Sequence, residues 1–353
     1  MGKKKKKWSK RPAPKPVAQP AASWPWIALM AILLAAVAGM VLFALLRNNA
    51  ANNPDATGAS TTSPSNAPGV TAPVVDDSNT TTMRIVKPGS AYVEKDTNAG
   101  TVFSFRKGDL VEMVETDGRW VTIAVEGRGY YLPSEMVRGK DEYLIVIDAG
   151  HQMYEDLGKE AIGPGGENTE TRMDMGGTGV YTGQKEYDVT QAAANKLKET
   201  LEARGYTVVM IRNHSAIKMS YVERTQVAND CYADAYITLH ADSVDDPSVS
   251  GVSALCQTKE NAYNASMYSE NKELCTTIVD AVSKSTGATK LDIQETDKNS
   301  AINWCEVPMA YVQIGHLSNE NEDRLLSTAS YHQKIADGIA DALDQFFAEE
   351  EDE

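Results

Sequence analysis

Leu144-Ile145-Val146-Ile147-Asp148 is an apolar run that leads straight into Ala149-Gly150-His151. A second run, Ala235-Tyr-Ile-Thr-Leu, also ends on a histidine, His240. Near-continuous apolar strands of this length are buried on both faces, unlike the alternating strands of a sheet with one wet side. Further strand patterns occur at Thr207–Arg212, Gly251–Gln257 and Tyr311–Gln313. Helical periodicity fills the gaps, at Asp188–Arg204, Val222–Asp230, Asn271–Ser285 and Ser330–Phe347. Gly205 stops the first of these helices, and Ser330 with Gln333 is placed to form a capping box for the last. Strands alternating with helices over residues 142–348 predict an α/β domain, a mostly parallel sheet flanked by helices.

Ligands of such sheets bind beyond the carboxyl ends of the strands. His151 follows one buried strand and His240 ends another, so both imidazoles are expected on the same rim. Glu186 precedes the long helix that begins near Asp188, where the chain can return to that rim. Two imidazoles and one carboxylate make a three-ligand set for a catalytic zinc, leaving a fourth position for water. Taken singly, each residue has a plainer role: a hydrogen-bonded histidine at a strand end, or an acidic side chain favoured at a helix N-terminus.

Upstream, residues 83–139 carry short β-rich runs at Met83–Val86, Thr101–Phe105, Leu110–Val114, Trp120–Val125 and Gly129–Leu132. Turn pairs such as Lys107-Gly108 and Asp117-Gly118 separate them, so a small all-β barrel is expected. Trp120, Tyr130 and Tyr131 are candidates for an aromatic binding face and equally for barrel core. Residues 47–82 are mostly Ala, Asn, Thr, Ser, Pro and Gly, a composition that cannot bury a core and reads as a flexible linker. Before the linker, Ile27–Leu46 is uninterruptedly apolar, and about 20 helical residues cross a bilayer.

The 353-residue chain has 34 Lys and Arg against 49 Asp and Glu, a net charge of −15. Eight of those bases, and no acid, fall in residues 1–26. With Arg47 the main charge close on the other side, the positive-inside rule puts this basic tail in the cytoplasm and everything after the helix outside. A cleaved signal peptide is the alternative. The acidic body argues against nucleic acid as a partner, since phosphate binding needs the opposite charge. Localisation is therefore expected at the cell membrane, single-pass, with the folded part extracytoplasmic; protein partners are not legible. Residues 349–353 form an acidic tail.

The motifs Asp148-Ala-Gly-His151, Gly183-Gln-Lys-Glu186-Tyr-Asp-Val and Ile237-Thr-Leu-His240-Ala-Asp-Ser, with Ala228-Asn229 and Ala233-Asp234 between, resemble one family in order and across residues 142–348. Gly315-His-Leu-Ser-Asn319, followed by Glu322-Asp323, resembles its closing motif. That family is the zinc-dependent N-acetylmuramoyl-L-alanine amidases of the Amidase_3 type. The resemblance implies a zinc hydrolase (Zn2+ as cofactor) that cuts the amide between N-acetylmuramic acid and L-alanine in peptidoglycan. It implies His151, Glu186 and His240 as the zinc ligands. Asp117 to Leu132 likewise resembles the final hairpin of bacterial SH3-like domains, which accompany cell-wall enzymes.

One position departs from the family. The glutamate that serves there as general acid–base stands two residues before the closing-motif glycine, and here that residue is Gln313, in Val312-Gln313-Ile314-Gly315. A carboxamide holds water by hydrogen bonds but takes no proton at neutral pH. Three readings follow: His316 supplies the base, the domain is a zinc-binding pseudo-amidase with a wall-binding or regulatory role, or the glutamine was introduced to trap substrate. The glycine-rich segments 163–166 and 176–179 lack the Lys-Ser or Lys-Thr of a phosphate loop and read as a flexible insertion near the cleft. Cys231, Cys256, Cys275 and Cys305 form no paired metal motif and are expected as buried thiols, while His214 and His332 are expected at the surface.

Overall fold

A computed structural model describes residues 72–351. The basic tail, the apolar stretch 27–46 and linker residues 47–71 lie outside them, as do the last two residues. Among the described residues no helix is long and apolar enough to cross a membrane.

The first module is all-β. Its strands are β1 (Thr81–Ile85), β2 (Gly89–Tyr92), β3 (Thr101–Phe105), β4 (Leu110–Thr116), β5 (Trp120–Val125), β6 (Arg128–Pro133) and β7 (Val137–Gly139). They pair in the order β3-β2-β6-β5-β4-β1-β7, every pair antiparallel. The five expected strands are present. The two additional ones, β2 and β7, are only four and three residues long, too short for any alternation to register. The β4–β5 turn forms because the Asp117 carboxylate accepts from the Arg119 and Trp120 amides while Gly118 takes φ +86°; an aspartate bonding forward to its own backbone is a standard turn device. Ile85, Val121, Ile123 and Leu132 fill the core. Of the three aromatics, Tyr130 packs against this core, Trp120 sits edge-on to Tyr92 at 5.8 Å, and Tyr131 lies beneath Lys95.

The second module is α/β. Its strands are β8 (Leu144–Ala149), β9 (Asp156–Ala161), β10 (Thr169–Met173), β11 (Thr207–Met210), β12 (Ala235–Asp242), β13 (Ser253–Cys256), β14 (Gln294–Glu295) and β15 (Met309–His316). Its helices are α1 (Glu186–Ala203), α2 (Tyr221–Asp230), α3 (Tyr268–Thr286), α4 (Ser300–Asn303), α5 (Glu320–Leu326) and α6 (Ala329–Glu351). The main sheet runs β11-β8-β12-β15-β13-β14. Its first four strands are parallel, as expected, but β13 runs antiparallel to β15, so the sheet is mixed. The reason is connection length. Only residues 243–252 join β12 to β13, whereas a parallel return needs a crossover of a dozen or more residues.

Alternation along β8 explains its unbroken apolar run. Ile145 and Ile147 enter the core shared with α1, α3 and α6, through Leu197, Ile278 and Leu343. Val146 points the other way, to a smaller core with Tyr236, Ile302 and Met309. Gly205 terminates α1 as expected, at φ +95°. The expected Ser330–Gln333 capping box does not form. Thr328 Oγ1 accepts from the Tyr331 amide instead, and Gln333 donates to Thr200 and Asp337. A full capping box is found at α2, where Ser220 and Glu223 exchange hydrogen bonds.

The glycine-rich insertion is also structured: β9 and β10 form an antiparallel hairpin within it. All four cysteines are free, and three are buried. His332 is a correction. It is buried, with Nε2 donating to Leu326 O at 2.7 Å, because α6 turns that position inward. His214 is exposed as expected.

The two modules meet at Asp234. Its carboxylate receives Arg84 and Arg138 from the β module, each at 2.7 Å, and the Leu144 amide at 2.8 Å.

Candidate metal centre

His151 is presented by a strained loop. Its φ is +59°, a left-handed conformation that costs a non-glycine residue about 1–3 kcal/mol and persists only where the surroundings impose it. Two buried guanidinium groups impose it here. Arg212 donates to the carbonyls of Ala149 (2.6 Å) and Gly150 (3.0 Å). Arg224 donates to Ala149 O and His151 O, both at 3.0 Å, and forms an ion pair with Asp148. Burial, then the neighbouring Arg224 charge, pushes Arg212 down to about 10.

Glu186 is the first residue of α1. Its Oε2 accepts from the Gly177 amide at 2.7 Å and its Oε1 from the Ala241 amide at 3.0 Å. The loop leading into it is pinned from the closing motif, since buried Asp323 accepts from Tyr181 N, Thr182 N and Thr182 Oγ1 at 2.6–2.7 Å. His240 lies near the end of β12, its ring stacked on Tyr311 at 4.2 Å between centroids.

These elements bring the three expected ligands together. His151 Nε2 is 3.2 Å and His240 Nδ1 is 3.3 Å from Glu186 Oε1, and one ligand atom from each residue lies within 4.8 Å of the others. All three side chains are buried. Two glycines are required for this approach: a Cβ on Gly150 would sit 2.4 Å from the His240 ring, and one on Gly176 would sit 2.6 Å from both His151 and Glu186. Burial opposes charge on His151, but Asp174 and Glu186 outweigh it and raise its pKa to about 9. Burial likewise opposes charge on Glu186, and the two histidines overcome it, holding the carboxyl far below its usual range. In His240 burial prevails and favours the neutral ring. Two imidazoles and an ionised carboxylate, already converging and partly desolvated, fit a zinc ion; the buried His240 Nε2 has no protein partner.

The centre opens into a cleft of about 470 Å³. Gln313 lines it, paired with His240 across the β12–β15 ladder. Its Oε1 is buried without a protein partner. His316, the other candidate for the missing base, is not among the residues that line this cleft. Glu322, in the first turn of α5, captures both its amide (2.8 Å) and its Nδ1 (3.2 Å), and the ring is buried there.

Sequence reasoning missed Asp174, Tyr311, Arg212 and Arg224. Asp174 Oδ1 lies 2.6 Å from His151 Nδ1. The available signal was the Asp174-Met-Gly-Gly177 sequence shortly before Glu186, where two glycines admit a close backbone approach.

Comparisons with known proteins agree with this geometry. A family model described as N-acetylmuramoyl-L-alanine amidase matches residues 145–345. The probable cell wall amidase LytH of Staphylococcus aureus is 21% identical over 247 residues, covering 70% of this chain and 78% of its own. The crystal structure of the N-acetylmuramyl-L-alanine amidase Ami1 from Mycobacterium smegmatis shares the fold, with a TM-score of 0.52 and 21% identity over 59% of this chain and 97% of that one. Its apo counterpart from Mycobacterium abscessus gives the same TM-score at 18% identity, over 58% and 98% of the two chains. Because the family match takes in more than half of the sequence and contains every residue of the centre, the chain belongs to the N-acetylmuramoyl-L-alanine amidase family.

Proposed function

We propose that the protein hydrolyses the amide between N-acetylmuramic acid and L-alanine in peptidoglycan, and that zinc held by His151, Glu186 and His240 serves the reaction. The observation that carries this is the convergence of the three side chains within 4.8 Å at the base of an open cleft. Zinc bound there supplies a Lewis acid that polarises a carbonyl and acidifies water. The chain's own residues hold the geometry. The Gly177 and Ala241 amides fix both oxygens of Glu186, and Tyr311 holds the plane of the His240 ring. Gln313, beside His240, can orient a water or the substrate amide by hydrogen bonds but cannot carry the proton to the leaving amine. Turnover is therefore slower than with a carboxylate at this place.

That same glutamine favours a second reading, a pseudo-amidase that binds the wall or regulates another hydrolase. Release of muropeptides from purified peptidoglycan by the full-length protein separates the two. Zinc-dependent release that His240→Ala abolishes supports the hydrolase. Retention on peptidoglycan without release supports the second reading.

The remaining assignments extend this proposal. The seven-stranded antiparallel module is an SH3-like domain that docks wall peptide, a role in keeping with the Asp117–Leu132 hairpin. Residues 27–46 anchor the chain in the cell membrane, with residues 1–26 cytoplasmic and the amidase outside; the charge asymmetry around that stretch supports this orientation.

A further inference from the structure

We propose that the cleft selects its substrate by charge: it takes stem peptides whose carboxyl group beside the scissile amide is amidated and rejects those that carry it as a free carboxylate, with Glu155 as a specificity-determining residue. The inference rests on the hydrolase reading given above and names which form of the substrate this site takes.

The charge of the cleft wall carries it. Apart from the expected ligands, the charged residues lining the cleft are Glu155, Asp174 and Asp242; no lysine or arginine is among them. The cations close by are engaged elsewhere. Arg212 and Arg224 hold the carbonyls of the His151 loop, and Arg224 is also paired with Asp148. Lys218 and Arg172 face Asp156 at 3.6 and 3.7 Å, and Arg172 reaches Glu223 at 3.4 Å. Of the three wall carboxylates, Asp174 lies 2.6 Å from His151 Nδ1 and Asp242 lies 3.9 Å from His316 Nε2. Glu155 differs from both: it is exposed, and among the described residues it has no ion-pair partner. A bound ion does not reverse this sign. Zinc together with ionised Glu186 leaves a single net positive charge, which the three wall carboxylates outnumber. The residue that follows L-alanine in a stem peptide carries a carboxyl group outside the chain, present either as a free carboxylate or as an amide. A free carboxylate brought into this cleft meets like charges, the device by which a binding surface rejects a wrong partner. The cleft walls focus that field onto the substrate. A carboxamide has the same shape without the charge, and its N–H groups can donate to the same carboxylates.

The probes are two soluble muramoyl peptides, identical except that this carboxyl is free in one and amidated in the other. Both are offered in one mixture to the full-length protein, so that the ratio of products reads the ratio of kcat/KM. At low salt the amidated peptide is expected to be consumed faster, on the order of tenfold. In about 1 M salt, where the screening length is about 3 Å, that preference is expected to shrink to about twofold or less. Glu155→Gln should narrow the low-salt ratio, and Glu155→Lys should narrow it further. The isosteric Gln variant guards against misfolding of the Lys variant. Competition of the same pair for the zinc-free protein, against a fluorescent muramoyl peptide, should give the same order with a wider gap, because the charge of the ion is absent. Equal consumption of the two peptides by wild type would overturn the proposal. A preference that high salt and Glu155→Lys both leave intact would overturn it too, since the selection would then be by shape. If neither peptide is cleaved by wild type or by Gln313→Glu, the hydrolase reading fails and this inference with it.

Discussion

Arg224 Nη1 lies 2.6 Å from Asp148 Oδ1, with both side chains shut away from solvent. The same guanidinium reaches the backbone carbonyl of His151 and the Gln152 side chain, so one buried ion pair also fixes the loop that carries His151, a proposed metal ligand. Removing one member of a buried pair typically costs about 3–5 kcal/mol, because the other charge is left uncompensated. Arg224→Met is expected to lose that much in denaturant unfolding of the zinc-free protein. A loss under 1 kcal/mol would mean that Asp148 finds another partner.

Gln313→Glu restores a group that can accept and deliver a proton next to His240. General acid–base catalysis contributes about 10²–10⁴ in rate, and muropeptide release is expected to rise within that range while zinc affinity stays the same. An unchanged rate would show that proton transfer at this position does not limit the reaction.

Gly150→Ala puts a methyl group into the His240 ring. Overpacking of this kind costs about 1–3 kcal/mol, and here the relief must come from displacing a ligand. The variant is expected to fold, with a lowered melting temperature, and to bind zinc far more weakly than wild type by calorimetry. Normal zinc binding would mean that His240 is not held where the structure puts it.

Two buried histidines are expected to give opposite pH dependences. Burial lowers the pKa of His332, against the hydrogen bond to Leu326 O, so the native state binds fewer protons than the unfolded chain. The stability it contributes is present above the unfolded value of about 6.5 and is lost as pH falls toward the lower native value. His316 behaves in the reverse sense. Glu322 raises its pKa, so its contribution is complete below about 6.5 and is lost as pH rises through the native value. Melting curves of the zinc-free protein between pH 5 and 8 test both: His332→Gln should soften the decline on the acid side, and His316→Gln should remove a decline on the alkaline side. Slopes matching wild type in both variants would rule out these assignments.

The buried strands and the ligand set were legible because their signals are local. Val146 and Ile147 belong to different cores, and only a strand covered on both faces needs both to be apolar. His151 and His240 sit at strand ends, where strand direction alone places them on one rim. What escaped the sequence depends on partners distant in the chain. Nothing in the sequence marks Arg212, at a strand end, or Arg224, within a helix, as a buried group holding the carbonyls of residues 149–151. The reversed sense of β13 leaves no mark in its apolar pattern. The insertion was read as flexible from its glycines, yet Gly176 is there because no side chain fits between His151 and Glu186. His316 stands beside Gln313 in sequence, but the β12–β15 ladder slips register between them, pairing His240 with Gln313 and Asp242 with His316, and Glu322 then claims the ring.

The seam at Asp234 has a mechanical consequence. One carboxylate, almost wholly buried, anchors arginines from the first and last strands of the β module, Arg84 in β1 and Arg138 in β7, and also the amide of Leu144 at the start of β8. Leu144 begins the strand that runs to the His151 loop. The grip on the β module and the origin of the strand that leads to His151 are thus a single point. If the β module docks wall peptide as proposed, this single fastening keeps that peptide at a set distance from the cleft, like a workpiece clamped to the bed of the tool that cuts it.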